Sequence, residues 1–393
     1  MFIRLFFSFV LLTSVCRAKE LPVNFYSEVI RLEYDETMRF GYKLSCSDNS
    51  LKGFYEKLEE SNYRTLLVSL KDQRASMRLN DWFYFVLVRE SCKAFYENEE
   101  ENKQVALCWF CLNKSGFNAN IRYAAGNRLK LYVQTKSVVY LVDSYVYKKK
   151  KYTHLGFGVQ EPPQGKNIGN LKYIPNNKGR CFDFSLGELT ELPSSVKSSK
   201  EIPFTVNGRN DTLRILFNKT IIDMMSEYPF IDFEEYFTLG FSKASKQSLL
   251  PLLKERTKSL SKEEVVSYLL SFVRTGFEYE DDKVVYGREK PMIAEEVLYY
   301  PKADCEDKSA LFLWLVRELL NLDMLVLEYP NHINIAVLLD KAYGKPMERK
   351  GVKYSVCETS VRWDNVYSGI GFSPKFEKYP NPKVIYEYHP NKK

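Results

Sequence analysis

The apolar positions of the chain change period along its length, and this divides it into elements. Residues 21–34 read as an extended opening segment. Residues 50–71 carry Phe54, Leu58 and Tyr63 at helical spacing. Asn80 or Asp81 can cap a second helix running from Trp82 to Tyr96. A third helix is predicted over 104–114, closed by Ser115 and Gly116. From Asn120 to Val146 the pattern turns to short β-type runs: Ile121–Tyr123, Lys130–Val133 and Val138–Val142. Residues 160–178, with Pro162, Pro163 and several Gly and Asn, read as a loop or boundary. Strand signals resume at Phe182–Phe184, Ile202–Val206 and Thr212–Phe217.

The last third is more sharply patterned. Ser261 and Glu264 have capping-box spacing, followed by Val265, Leu269, Phe272 and Val273, with Gly276 as a stop. An irregular stretch, Glu278–Lys290, leads to a short helix over Ala294–Leu298 that Pro301 ends. A strongly amphipathic helix then opens at Asp304–Asp307 and runs to Leu320, with Leu311, Trp314, Leu315 and Leu319 on its buried side. Strands follow at 324–329 and 333–339, and a third from Val352 carries Tyr354, Val356 and Glu358. Helices and short strands in separate blocks predict an α+β fold.

The first residues change the setting. Arg4 precedes an apolar stretch, Phe6–Val15, too short to span a hydrocarbon core of roughly 30 Å. Cys16-Arg17-Ala18 then places small residues at −3 and −1 of a cleavage after Ala18, the pattern of a secretory signal peptide. Attachment of a lipid at Cys16 is the weaker alternative, because Val15 stands where Gly or Ala is usual. Without residues 1–18 the formal charge falls from +7 to +5, by loss of Arg4 and Arg17. That balance is too mild and dispersed for nucleic-acid binding. The one basic run, Lys148–Lys151, reads as a solvated loop between strands. No later segment is long and apolar enough to span a bilayer, so the expectation is an exported protein, periplasmic or at the cell surface, with envelope association left open. Aromatic residues make up 15% of the chain, but the excess travels with Lys and Asn and reads as compositional rather than as a sugar-stacking surface.

Beyond residue 18 there are seven cysteines, an odd number, so at least one is unpaired within the chain. Cys108 and Cys111 have CxxC spacing but lie inside the apolar run Val105–Leu112, and they read as core residues. No histidine stands near them to complete a zinc site, and neither a metal nor a cofactor is expected. Histidine is scarce: His154, His332 and His389 are the three in the chain. One of them completes a chemical pattern. Cys305 stands at a helix start, His332 at a strand start and Glu358 in the next strand. A free thiol is mostly protonated at neutral pH. A helix N-terminus favours its anion only slightly, and Asp304, Glu306 and Asp307 oppose it. Activation therefore needs a histidine to share the proton and a carboxylate to orient that histidine. Strand alternation lets Glu358 face a site while Cys357 does not, and places His332 and Asn334 on one face and the isoleucines on the other. Asp307, at the third helical position, reads as a capping residue.

The stretch Ala303-Asp304-Cys305-Glu306-Asp307-Lys308-Ser309, then Tyr329-Pro330-Asn331-His332-Ile333-Asn334, then Lys353-Tyr354-Ser355-Val356-Cys357-Glu358-Thr359, resembles the transglutaminase-like superfamily of papain-like cysteine enzymes. The likeness covers about residues 262–372. It departs from the family in carrying Glu358 where Asp is commoner and Ala303 where Gly often stands. The resemblance implies Cys305 as nucleophile, His332 as base then acid, Glu358 as orienter, and the Cys305 N–H as part of an oxyanion hole. It further implies acyl transfer from peptide or protein amides. Hydrolysis is favoured over cross-linking, since water is abundant outside the cytoplasm and no amine acceptor is indicated. A non-catalytic binding or envelope-assembly protein that keeps the fold is the alternative.

The domain expectation is a signal peptide over 1–18, an N-terminal α+β domain over 19–160, a β-rich linking region over 161–235 and a transglutaminase-like domain over 236–393. The first domain also echoes the last. A shift of 205 residues sets Trp109 on Trp314, Cys305 on Glu100 and His332 on Asn127, which makes the first copy a half without the catalytic pair.

Overall fold

A computed structural model describes residues 18–97, 101–156, 169–170, 178–360 and 369–390. The signal-peptide reading of 1–18, apart from Ala18, and most of the 160–178 boundary lie outside these residues. The fold is mixed α+β, and its larger sheets are antiparallel.

The opening segment is a hairpin rather than a single extended run. Strand β1 (Lys19–Phe25) pairs with β2 (Glu28–Tyr34), and alternate residues of each are buried. The predicted helix over 50–71 is two helices, α1 (Asp48–Glu60) and α2 (Arg64–Ser76), parted where the Ser61 N–H turns back to Leu58 O. Asn80 caps α3 (Asp81–Phe95) by accepting from the Phe83 N–H. Helix α4 (Glu101–Lys114) ends before Gly116, whose φ of +98° suits glycine. Five strands follow: β3 (Ala119–Ala124), β4 (Arg128–Gln134), β5 (Ser144–Tyr147), β6 (Lys150–Leu155) and β7 (Gly169–Asn170). Lys148 and Lys149 form the tight β5–β6 turn, both with positive φ. Residues 138–142 form no strand; Val139 makes an isolated bridge to Ile231.

The second half begins with another hairpin, β8 (Lys197–Val206) and β9 (Arg209–Asn218). Four helices follow: α5 (Lys219–Ser226), α6 (Phe233–Tyr236), α7 (Lys243–Thr257) and α8 (Lys262–Gly276). Next come β10 (Glu278–Tyr279), α9 (Asp282–Tyr286), α10 (Ala294–Tyr299) and β11 (Lys302–Ala303), with β10 and β11 in a short parallel pair. Helix α11 (Cys305–Leu320) leads into β12 (Met324–Tyr329), β13 (His332–Val337), β14 (Met347–Arg349) and β15 (Val352–Cys357). Helix α12 (Pro374–Lys378) and β16 (Lys383–Tyr388) close the chain. The hairpin β8–β9 packs on α8 and α7, so residues 197–218 side with the second half.

The two halves share one plan. Each has a hairpin whose first strand packs on the second, and whose second strand packs on the first, of two consecutive long helices: β1 on α3 and β2 on α2, then β8 on α8 and β9 on α7. The central helix comes next, α4 directly after α3 and α11 after the shorter α9 and α10. The sheets run β5-β6-β4-β3-β7 and β14-β15-β13-β12-β16, which is the same order when strands are counted from the central helix.

The central helices are buried on all sides, as a helix between two layers must be. Val105–Asn113 of α4 and Cys305–Val316 of α11 are buried throughout, so α11 is less one-sided than its pattern suggests. Ile333, Ile335, Val337 and Cys357 join the core beneath α11. Leu325, Leu327, Tyr329, Ala336, Tyr354 and Val356 pack on the other face of the sheet with Phe376 of α12.

Candidate active site

Local chemistry fixes the start of α11. Asp304 N–H donates to Asp307 Oδ2 at 3.3 Å, and Asp307 Oδ1 accepts from Met292 N–H at 2.8 Å. Asp307 thus caps the helix and ties it to the irregular segment before α10. One residue on, the fully buried Lys308 donates from Nζ to Phe277 O (2.7 Å) and Arg274 O (3.2 Å), satisfying carbonyls at the end of α8. Burial, then the Arg274 charge, brings this lysine down to about 8. One turn after Cys305, Ser309 Oγ contacts Thr359 Oγ1 at 2.7 Å and donates to Ile333 O at 3.3 Å. The helix is therefore fastened to the residues that directly follow Glu358 and His332.

His332 and Glu358 are brought together. His332 Nε2 lies 3.1 and 3.2 Å from the two Glu358 carboxylate oxygens. Three further donors hold that carboxylate. Ser360 N–H and Oγ donate to Oε1 at 3.2 and 3.1 Å, and Ser373 Oγ donates to Oε2 at 3.1 Å. Asn334 Nδ2 in turn donates to Ser373 Oγ at 2.9 Å. His332 and Asn334 share the sheet face away from the isoleucines, as alternation requires. The His332 ring is 6.0 Å from that of Tyr329, its cross-strand partner.

Cys305 is hydrogen-bonded elsewhere. Its thiol donates to Glu306 Oε2 at 3.1 Å, and the backbone of Ile333 on β13 also reaches the sulfur. No hydrogen bond joins it to His332 among the described residues. Burial pushes the thiol well above its usual range, and the charges of Glu306 and Asp304 push it further. The backbone of Ile333, next to His332, acts the other way. Burial also raises Glu306 to about 7, helped by the Asp307 charge. Composition and spacing flagged Cys305, His332, Glu358, Asn334 and Asp307. They missed Glu306 as the thiol's partner, and Ser309, Ser360 and Ser373 as positioning groups. Ser373 is brought in by a segment running parallel beside β15, a contact with no local signal.

The corresponding positions of the first half carry other residues. Ala124↔Arg128 is the pair matching Tyr329↔His332, so Arg128 rather than Asn127 occupies the histidine's place. The turn there holds one more residue, which breaks the constant shift of 205. Leu155 pairs with Leu131 as Cys357 pairs with Ile335, so Gly156 takes the place of Glu358. Glu100, opposite Cys305 by the shift, lies outside the described residues. Cys108 and Cys111 are buried free thiols in α4. No protein-family model, curated protein or solved structure matches the chain.

Proposed function

We propose that this chain is an exported cysteine-dependent enzyme of transglutaminase-like type. It would transfer the acyl group of peptide or protein amides through a Cys305 thioester, with hydrolysis favoured over cross-linking. In this reading the chain is built from two related halves, of which the second carries the chemistry. The observation that carries the reading is the His332–Glu358 pair, set at the strand start whose next residue is bonded to the cysteine helix. With Nε2 engaged by Glu358, Nδ1 is the nitrogen left to take the thiol proton.

The step requires the sulfur to turn from Glu306 toward His332. His332 then removes the thiol proton and the thiolate attacks the amide carbon. The N–H of Cys305, in the first helical turn and lacking an i−4 partner, is placed to donate to the oxyanion. His332 returns the proton to the departing amine, and water releases the acyl group. A second reading, a non-catalytic binding or envelope-assembly protein, is favoured by the thiol's bond to Glu306.

Labelling with a thiol-reactive probe separates the two. Fast labelling of Cys305 that is lost in His332→Ala supports the enzyme. Labelling no faster than that of a free thiol, and indifferent to His332→Ala, supports the binding protein. A glutamine peptide offered with a fluorescent amine then distinguishes transfer from hydrolysis.

A further inference from the structure

We infer that the start of α11 is a binding site for a borderline divalent cation of the Zn²⁺ type, held by Asp304, Cys305 and Glu306 and excluding His332. One ligand atom from each of these three buried residues lies within 4.8 Å of the others. The Cys305 Sγ–Glu306 Oε2 separation is 3.1 Å. Two ligands on one tetrahedral zinc ion, at about 2.0 Å for oxygen and about 2.3 Å for sulfur, stand roughly 3.5 Å apart. The Cys305–Glu306 pair is thus within a few tenths of an ångström, roughly, of the spacing one ion requires.

The independent sign of a missing ligand is Asp304 Oδ1. Asp304 is 7% exposed, and among the described residues no donor reaches this oxygen; the Asp304 carboxyl stands against that of Glu306. A buried carboxylate oxygen left unsatisfied is costly unless a cation or donor reaches it. The surroundings add further carboxylates, offset in part by Lys290 beside Asp282 and Asp307 and by Lys308 beside Asp304 and Asp307. Asp282 and Glu289 form a second close set with the same Glu306. The nearby lysines are committed elsewhere: Lys283 to Glu289, Lys290 to Glu296, and Lys308 to the carbonyls ending α8. The donor set is mixed, two carboxylates and a thiol, which suits zinc or cobalt better than calcium or magnesium.

Binding replaces the S–H bond by an S–metal bond and releases the proton to solvent. It therefore occupies the proposed nucleophile and would silence it. The site itself does not depend on Cys305 being catalytic.

The test uses Co²⁺ as a spectroscopic stand-in, titrated into the whole mature chain. Expected is one equivalent that gives a thiolate-to-cobalt charge-transfer band, is displaced by Zn²⁺ and is insensitive to excess Mg²⁺ or Ca²⁺. That equivalent is lost in Cys305→Ser, weakened at least tenfold in Asp304→Asn and retained in His332→Ala. Absence of saturable binding, or a band unchanged in Cys305→Ser, overturns the site. So does loss in His332→Ala with Asp304→Asn unaffected, which would place the ion on the histidine instead. Circular dichroism of each variant checks that it is folded. The readout is metal binding, so its outcome is independent of whether an acyl-transfer activity is found.

Discussion

His332 and Glu358 meet across the open end of β13 and β15, with the imidazole Nε2 within 3.2 Å of both carboxylate oxygens. The arrangement fixes which ring nitrogen faces the carboxylate and leaves the other for a thiol. Three donors from Ser360 and Ser373 hold the Glu358 carboxylate in place.

Glu358→Gln keeps the shape of the site but removes the charge that stabilises an imidazolium. If Cys305 attacks amides, the acyl-transfer rate should fall by roughly 10²–10⁴-fold. The urea midpoint should change little. Equal rates in the two proteins would remove Glu358 from the mechanism.

Glu306 holds the resting thiol and its charge raises it. Glu306→Gln removes that charge, so the alkylation profile of Cys305 should move to lower pH and labelling at neutral pH should speed up. The comparison is a pH–rate profile with a neutral alkylating reagent. An unmoved profile would mean that burial and the Asp304 charge set the thiol without Glu306.

The acids around Cys305 also make stability depend on pH. Burial raises Asp282 to about 6 and Glu306 to about 7, with neighbouring carboxylates adding to both. Their folded values lie above the unfolded carboxyl range of roughly 4. The folded state therefore binds more protons, and the contribution is fully present below that range. It is lost as pH rises through about 6 and about 7. The thermal midpoint should fall between pH 5 and pH 8, and fall less in Glu306→Gln. Identical slopes for the two proteins would contradict this assignment.

Much of the fold was legible locally. Ser261 and Glu264 form the capping box their spacing announced, Asn80 caps α3, and the isoleucines of β13 face α11 while His332 and Asn334 do not. These features follow from residues within one turn or one strand of each other. Other features were hidden. Helix α7 carries Pro251 in its interior, which by local rule argues against a helix there. Its place is settled by packing against β9 and α11. The break between α1 and α2 and the pairing of β1 with β2 were likewise invisible in apolar spacing alone.

The sequence by itself determined the α+β character, the central helix opening at Cys305, and His332 at the start of a strand; Glu358, expected within the next strand, stands one residue beyond its end. Periodicity and capping are properties of neighbouring residues, so they can be read without a fold. Tertiary structure alone decided that Glu358 reaches His332, that Ser373 supports it from beyond the strand, and that the thiol turns to Glu306. It also decided that both halves follow one strand order while Arg128 and Gly156 stand where His332 and Glu358 do. Those relations join residues tens of positions apart through sheet register and helix burial, and register is set by the packing of whole elements rather than by any local run of sequence.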